Sequence, residues 1–488
     1  MSTRMFSAAM VGVDPRPVNV EVHLGKTNSK FGLVGLPDTA VREAQYRVKA
    51  AMASSGYEMP RSEVTVNLAP ADLPKAGSAF DLPIALGVLL ADGKVSMGHR
   101  GLVAVGELAL DGRVRPSRGV LAAAMVAAKQ GIPCLVPRAA MSEAALVPKV
   151  DLFGVDKLSE ALRAMEGSVE PTAPPPSGSH ASPVQDLADV RGQELARRGL
   201  EIAAAGRHHL LMSGPPGMGK TMLAKRLPGI LPPLTQTEEM ELACVWAAAH
   251  RGRPVSIRPF RAPHHTTSVV GLLGGGSGIP VPGDLSLAHH GVLFLDELGE
   301  YPANLVDALR QPLEEGTVTI TRRGISTTFP CRALVVAATN PCPCGWRNDT
   351  VKQCQCSPAA AGRYRRRLSG PLLDRFDVRV FLGRMETEEL TGAPGESTAA
   401  VRRRVEQARQ MQIPRGALNG DLSSSDLDAL PWDGGARQVL SYNLDRGNLT
   451  GRGYDRVRRV SRTLADLEGC ELVTDTHVLE ALSFRMSI

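Results

Sequence analysis

The stretch Gly214-Pro215-Pro216-Gly217-Met218-Gly219-Lys220-Thr221 is a complete G-x-x-x-x-G-K-T. It directly follows the apolar run His209 to Met212 and precedes the helical pattern Met222 to Leu227, so strand, loop and helix stand in the order a phosphate-binding loop requires. Glycines let backbone N–H groups turn inward around a β-phosphate, the next helix points its positive end at the same anion, and Lys220 adds a charge between the β and γ groups. Thr221 supplies a hydroxyl for Mg2+. A glycine-rich turn on an ordinary helix would share the glycines but not the ordered flanks. The stretch predicts an ATP or GTP site on a parallel α/β sheet.

Further along, Gly291 to Glu297 is an apolar strand ending in two acids. Beside a phosphate loop, Asp296 is placed to hold Mg2+ through water and Glu297 to orient the water that attacks a γ-phosphate. A third strand, Ala333 to Thr339, ends at Asn340, whose amide would hold that water from another side; an Asx turn before Pro341 is the plainer alternative. Transition-state charge calls for a cation. Arg375 lies 155 residues after Lys220, too far along the chain to belong to the loop, which suits a finger offered to a neighbouring subunit. Arg452 opens a long C-terminal helical pattern and is the candidate sensor of the γ-phosphate within its own subunit, with surface ion pairs to adjacent Asp the alternative for both arginines.

Working outward, 488 residues suggest about three domains. With 43% apolar and 22% charged residues and a mean hydropathy of −0.07, the chain reads as globular, neither disordered nor a membrane bundle. No run approaches the roughly 18 apolar residues of a membrane span, so no membrane partner is expected and the cytoplasm is the expected compartment. The net charge of +6 comes from 56 Lys and Arg against 50 Asp and Glu, and 11 Lys leave 45 Arg, a skew too general to argue for nucleic acid by itself. The segment EGSVEPTAPPPSGSHASP, 166–183, is proline-rich and reads as a linker. Before it, residues 1–165 alternate β-rich and Ala-rich runs, a mixed α/β domain; 184–384 repeat strand, loop and helix; 385–488 carry helical periodicity and read as a small helical domain.

Between the acids and Asn340, the alternating stretch Glu315 to Pro330 flanks Arg322-Arg323-Gly324, the pattern of a β-hairpin with cations at its tip. Two guanidiniums there would grip successive phosphates of DNA without reading bases, where a bland reading makes them a solvated turn. Tyr364-Arg365-Arg366-Arg367 could extend that track. Cys342, Cys344, Cys354 and Cys356 crowd into 15 residues, a ligand number and type suited to a structural Zn2+ site over residues 342–356, free thiols being the alternative. His264-His265 and His289-His290 lack carboxylates at ligand spacing and read as packing or interface contacts.

Together GPPGMGKT, GVLFLDE, AATN, GPLLDRFD and RGYDRVRRVSRTLADL resemble an AAA+ ATPase of the magnesium-chelatase-related branch, and more closely the ComM (YifB) family, over nearly the whole chain. The resemblance implies a homo-hexamer with ATP and Mg2+ at subunit interfaces, Arg375 acting in trans and Arg452, or else Arg459, as second sensor. It further implies a branch-migration motor on single-stranded or branched DNA, with no small-molecule substrate beyond ATP. The N-terminal segment resembles the Lon protease fold, but matching PKAGSAFDLPIAL and GELALDGRVRPSRGVLAAA puts Phe80 or Asp81 at the serine position and Leu121 at the lysine position. A Ser–Lys dyad needs both partners, so this domain is expected to be inactive as a protease. The rival class is a chelatase-like or protein-remodelling ATPase without DNA activity; no D-x-S-x-S metal-adhesion pattern is present for it.

Overall fold

The computed structural model describes residues 2–26, 30–75, 77–175, 185–250, 257–276, 279–322, 324–347, 349, 351–367 and 370–485. They form two compact units. One takes residues 1–179 together with Thr235–Val255, the other His180–Leu234 and Ser256–Ile488. Among the described residues, no helix is long and apolar enough to cross a membrane.

The first unit is built on a seven-stranded mixed sheet. Its centre is a hairpin of Ser2–Val11 and Asp14–Leu24, whose two-residue turn places Gly12 at φ 62. On one side Val64–Ala69 pairs antiparallel and Phe31–Val34 then parallel; on the other Val103–Ala104, Cys134–Pro137 and Leu152–Val155 follow in parallel. The helix Asp81–Ala91 is buried almost all round, as its near-continuous apolar sequence requires. The helix Gln236–Ala248, which in sequence follows the phosphate-loop helix, belongs to this unit: Cys244 lies against Met125, with their sulfurs 3.7 Å apart. Part of the expected linker is also tied to the sheet, because Thr172 donates its N–H to Leu152 (2.7 Å) and accepts from the Gly154 N–H (3.0 Å).

In the second unit a parallel five-stranded sheet runs in the order Phe260–Arg261, Val292–Leu295, Leu334–Thr339, Leu210–Ser213, Val378–Phe381. Three of these strands are buried along their whole length, which explains runs with no polar alternation. The helical segment from Thr398–Gln412 to Asp475–Ser483 packs onto this sheet's helices in one continuous core that includes Val405, Leu464 and Phe484. Mixed α/β architecture, a parallel sheet and a helical C-terminal region thus agree with the sequence reading.

Candidate functional site

Register brings the three sequence motifs together. Ser213 pairs with Thr339, and Leu295 with Ala337, so the loop at 214–221, the acids at 296–297 and Asn340 leave the same end of three adjacent strands. Gly217 (φ 81) and Gly219 (φ 88) occupy left-handed backbone that a Cβ would strain. A Cβ on Gly214 would fall 2.3 Å from the Leu382 carbonyl, so this position also needs glycine. Pro215 is buried, Pro216 is exposed and Met218 packs against the core.

Lys220 is 8% exposed and folds back on the loop, donating to the carbonyls of Gly214 and Pro215 and, at 2.9 Å, to Asn340 Oδ1. Burial lowers its ammonium to about 8, against the opposing charges of Asp296 and Glu297. Thr221 Oγ1 donates to Asp296 Oδ2 at 2.8 Å. The residues fit a triphosphate with Mg2+. Among the described residues the ammonium's hydrogen-bond partners are neutral oxygens that an anion would outcompete, and the hydroxyl and carboxylate expected to share the metal already touch.

Glu297 is exposed and strained, at φ 52 and ψ 47. Its Oε2 lies 3.5 Å from His265 Nδ1. The His265 ring lies tilted against His264, with centroids 4.1 Å apart, and its loop is anchored where Tyr301 donates its hydroxyl to Pro263 O at 2.7 Å. Sequence reading took these histidines for packing or interface contacts. His265 does pack against His264 and Tyr301, and it is also a neighbour of the acid at the strand end, a pairing across two loops that no spacing rule reveals.

Arg375 sits at the other end of the sheet, three residues before Val378, which pairs with Leu210. It is buried and ion-paired with Glu314. Burial depresses its guanidinium below the ordinary value, Glu314 opposing this and the charges of Arg452, Arg456 and Arg310 adding to it. Arg456, one turn after Arg452, donates to Asp377 at 3.1 Å. Asp377 itself, buried at the start of the last strand, is held down to about 2 by the His208 hydrogen bond and Arg456 although burial pushes it up. Arg452 therefore stands with Arg375. From His209 to Gly214 the strand climbs five residues, about 17 Å, so Arg452 is on the side away from its own phosphate loop and the expectation that it senses the γ-phosphate of its own subunit does not fit. Arg459 donates its Nε to the Leu422 carbonyl at 2.7 Å within the helical segment.

The hairpin forms, Thr317–Arg322 against Ile325–Pro330, with Gly324 at φ 81 in the turn and Arg322 exposed. Val318 and Ile320 face inward while Thr319 and Thr321 face out. Arg323 lies outside the described residues. Tyr364 is buried against Gly299 and shares a 3.3 Å hydrogen bond with Thr339 Oγ1, so it supports the acid-bearing turn, whereas Arg365 and Arg366 are exposed.

The four cysteines meet. Cys342 Sγ is 3.4 Å from Cys344 Sγ and 3.7 Å from Cys354 Sγ, Cys344 and Cys354 are 3.6 Å apart, and Cys356 Sγ accepts from the Cys344 N–H at 3.4 Å. All are free thiols, with the four sulfurs within 4.8 Å of one another. Tetrahedral Zn2+ with bonds of about 2.3 Å separates its sulfurs by about 3.8 Å, so this donor set fits.

In the first unit the dyad positions are filled otherwise. Phe80 and Leu121 are buried, and Asp81, fully buried, is chelated by Arg47 at 2.6 and 3.0 Å. Ser78 donates to Glu107 and Lys75 to the Pro70 carbonyl, so the nearest serine and lysine serve other partners.

A parallel sheet in this order, with phosphate loop, acid pair and polar strand end converging and a helical segment behind, defines an AAA+ nucleotide-binding protein. Family models agree, matching "Magnesium chelatase, subunit ChlI" at 186–390, "Subunit ChlI of Mg-chelatase" at 20–140 and "Magnesium chelatase, subunit ChlI C-terminal" at 395–485. The chain is 40% identical to competence protein ComM of Haemophilus influenzae, over 99% of this chain and 97% of that one, and 40% identical to YifB of Escherichia coli, over 99% and 96%. A magnesium-chelatase 67 kDa subunit of Heliobacterium mobile is 29% identical over 32% of this chain and 28% of its own. The chain belongs to the ComM/YifB family of magnesium-chelatase-related AAA+ proteins.

Proposed function

We propose that the chain is an ATPase that assembles as a cytoplasmic homo-hexamer and drives DNA through its ring, moving branch points of recombination intermediates in transformation or repair. The observation that carries the ring is polar placement: the phosphate loop stands at one end of the sheet, and Arg375 with Arg452 stands at the other. Head-to-tail contact, the heterologous association that closes into rings, brings the phosphate-loop end of one subunit against the Arg375 end of the next. In that contact Arg375 serves the neighbour's nucleotide and Arg452 supports it.

ATP bound with Mg2+ would supply the phosphoryl group whose transfer to water releases the energy. Lys220 exchanges its carbonyl partners for phosphate oxygens, Thr221 and Asp296 hold the metal side, Glu297 draws the proton from water and Asn340 orients it. The exposed Arg322 beside the hairpin turn supports a grip on the DNA backbone, and the similarity to a competence protein supports DNA as the object. The four cysteines would hold one structural Zn2+.

ATP turnover measured with and without single-stranded and forked DNA tests the reading. We expect acceleration by DNA in wild type and loss of turnover with retained ATP binding in Glu297→Gln. Absent DNA binding at moderate salt and unchanged turnover would replace the DNA motor with a protein-remodelling ATPase.

A further inference from the structure

The cysteine knuckle lies where it can act on the nucleotide site. It begins two residues after Asn340, the acceptor of the Lys220 ammonium. Gly345, buried at φ 82 in the turn closed by its N–H on Cys342 O (2.9 Å), stacks directly on the phosphate loop: a Cβ there would stand 2.6 Å from Pro216 Cδ. From the knuckle's far side Asp349, its side chain 2% exposed, accepts from Arg384 Nε at 3.1 and 3.3 Å, and the Trp346 ring lies 5.7 Å from the Arg384 guanidinium and 4.2 Å from the Lys352 ammonium. Arg384 follows Gly383, whose carbonyl accepts from Gln193 (2.9 Å), and Leu382, whose carbonyl abuts Gly214. This is the connector from the sheet to the helical segment.

Resting on the reading of the cysteines as a zinc site, we propose that the knuckle is a metal-held brace between the phosphate loop and the connector to the helical segment, so that metal loading sets the affinity for nucleotide. The chain between Cys342 and Cys356 contributes little apolar burial of its own; of the residues described there, only Cys342 and Gly345 are fully buried. Its shape therefore depends on what the four sulfurs hold. Thiolates in this number select a soft, tetrahedral divalent cation, and such an ion, away from the reacting phosphate, acts on binding and not on the chemical step.

The test uses the full-length chain and two readouts, metal content by elemental analysis and affinity for a fluorescent ATP analogue by titration. We expect one zinc per chain, an affinity about tenfold weaker after zinc is displaced with a mercurial and chelator, and recovery when Zn2+ is restored after thiol reduction. Arg384→Ala keeps all four cysteines and removes only the second foot of the brace. It should retain its zinc and lose affinity in the same direction, with turnover at saturating ATP little changed. A protein isolated without zinc that gains no affinity on adding Zn2+ overturns the metal site. Stoichiometric zinc with unchanged affinity in both the stripped protein and Arg384→Ala overturns the brace. DNA-stimulated turnover of wild type, measured beside them, reports on the motor reading independently.

Discussion

Each unit of this chain buries a lysine, and the two make opposite use of it. Lys75 is 1% exposed and Lys220 8% exposed; each ammonium rests on backbone carbonyl oxygens and each is depressed by burial. Around Lys220 the backbone is left-handed at Gly217 and Gly219, a helix begins, and two acids and an amide arrive from adjacent strand ends. Around Lys75 the opposing charge that acts on it is Asp72, while Asp81, six residues on in the chain, is already neutralised by Arg47 and Ser78 is taken up by Glu107. A buried cation becomes a site when its partners are exchangeable and an anion can reach it. Where the partners are fixed, it is structure.

Exchanging the two lysines in turn gives the largest contrast. Lys220→Met should lower ATP turnover by about three orders of magnitude, since it removes the cation that follows developing phosphate charge. Lys75→Met, close in volume, should leave turnover within a factor of two and stability equal or higher, because replacing a buried charge with a packed apolar chain is often neutral or favourable. Steady-state kinetics beside thermal melts decide this, and a turnover defect in Lys75→Met would erase the distinction.

The next contrast concerns the fixed partners. Arg47→Ala leaves the Asp81 carboxylate buried with only the Leu108 N–H (3.2 Å) to hold it, which should cost about 3 kcal/mol of stability in the first unit. Urea unfolding followed by circular dichroism should show an earlier first transition, with turnover per folded molecule unchanged. A loss of turnover without loss of stability would move Arg47 from the scaffold into the working parts.

How much of this could be read in advance follows the same division. The nucleotide residues lie on local patterns of strand, loop and helix, and local patterns survive into the fold; the hairpin around Arg322 is the clearest case, its alternation becoming its register residue by residue. What failed to show depends on which surfaces meet. The helix Gln236–Ala248 carries a capping box at Thr235 and Glu238 but no apolar periodicity to say that Ala243 and Cys244 belong to the first unit's core. Nothing in RGYDRVRRV announces that Arg456 will seek Asp377 and so carry Arg452 to the far end of the sheet. The pairing of His265 with Glu297 is equally tertiary, since each ends a separate strand-to-loop passage.

The smallest contrast is in pH, and its sign separates the two lysines further. A lysine whose folded value is lowered binds fewer protons folded than unfolded, so stability rises with pH, for Lys220 between about 8 and its ordinary 10.5. Nucleotide affinity must run the other way there, because a phosphate binds the ammonium and the loop has to take up a proton once the pH exceeds about 8. From pH 7 to 9 the affinity for ADP should fall by up to about tenfold, and calorimetry at pH 9 in buffers of different ionisation enthalpy should register uptake approaching one proton, against almost none at pH 6.5. Lys220→Met should abolish that uptake. Lys75→Met should keep it, since its ammonium, though lowered in the same direction, is no part of the phosphate loop; proton uptake lost in Lys75→Met would mean that the two lysines answer to the same ligand.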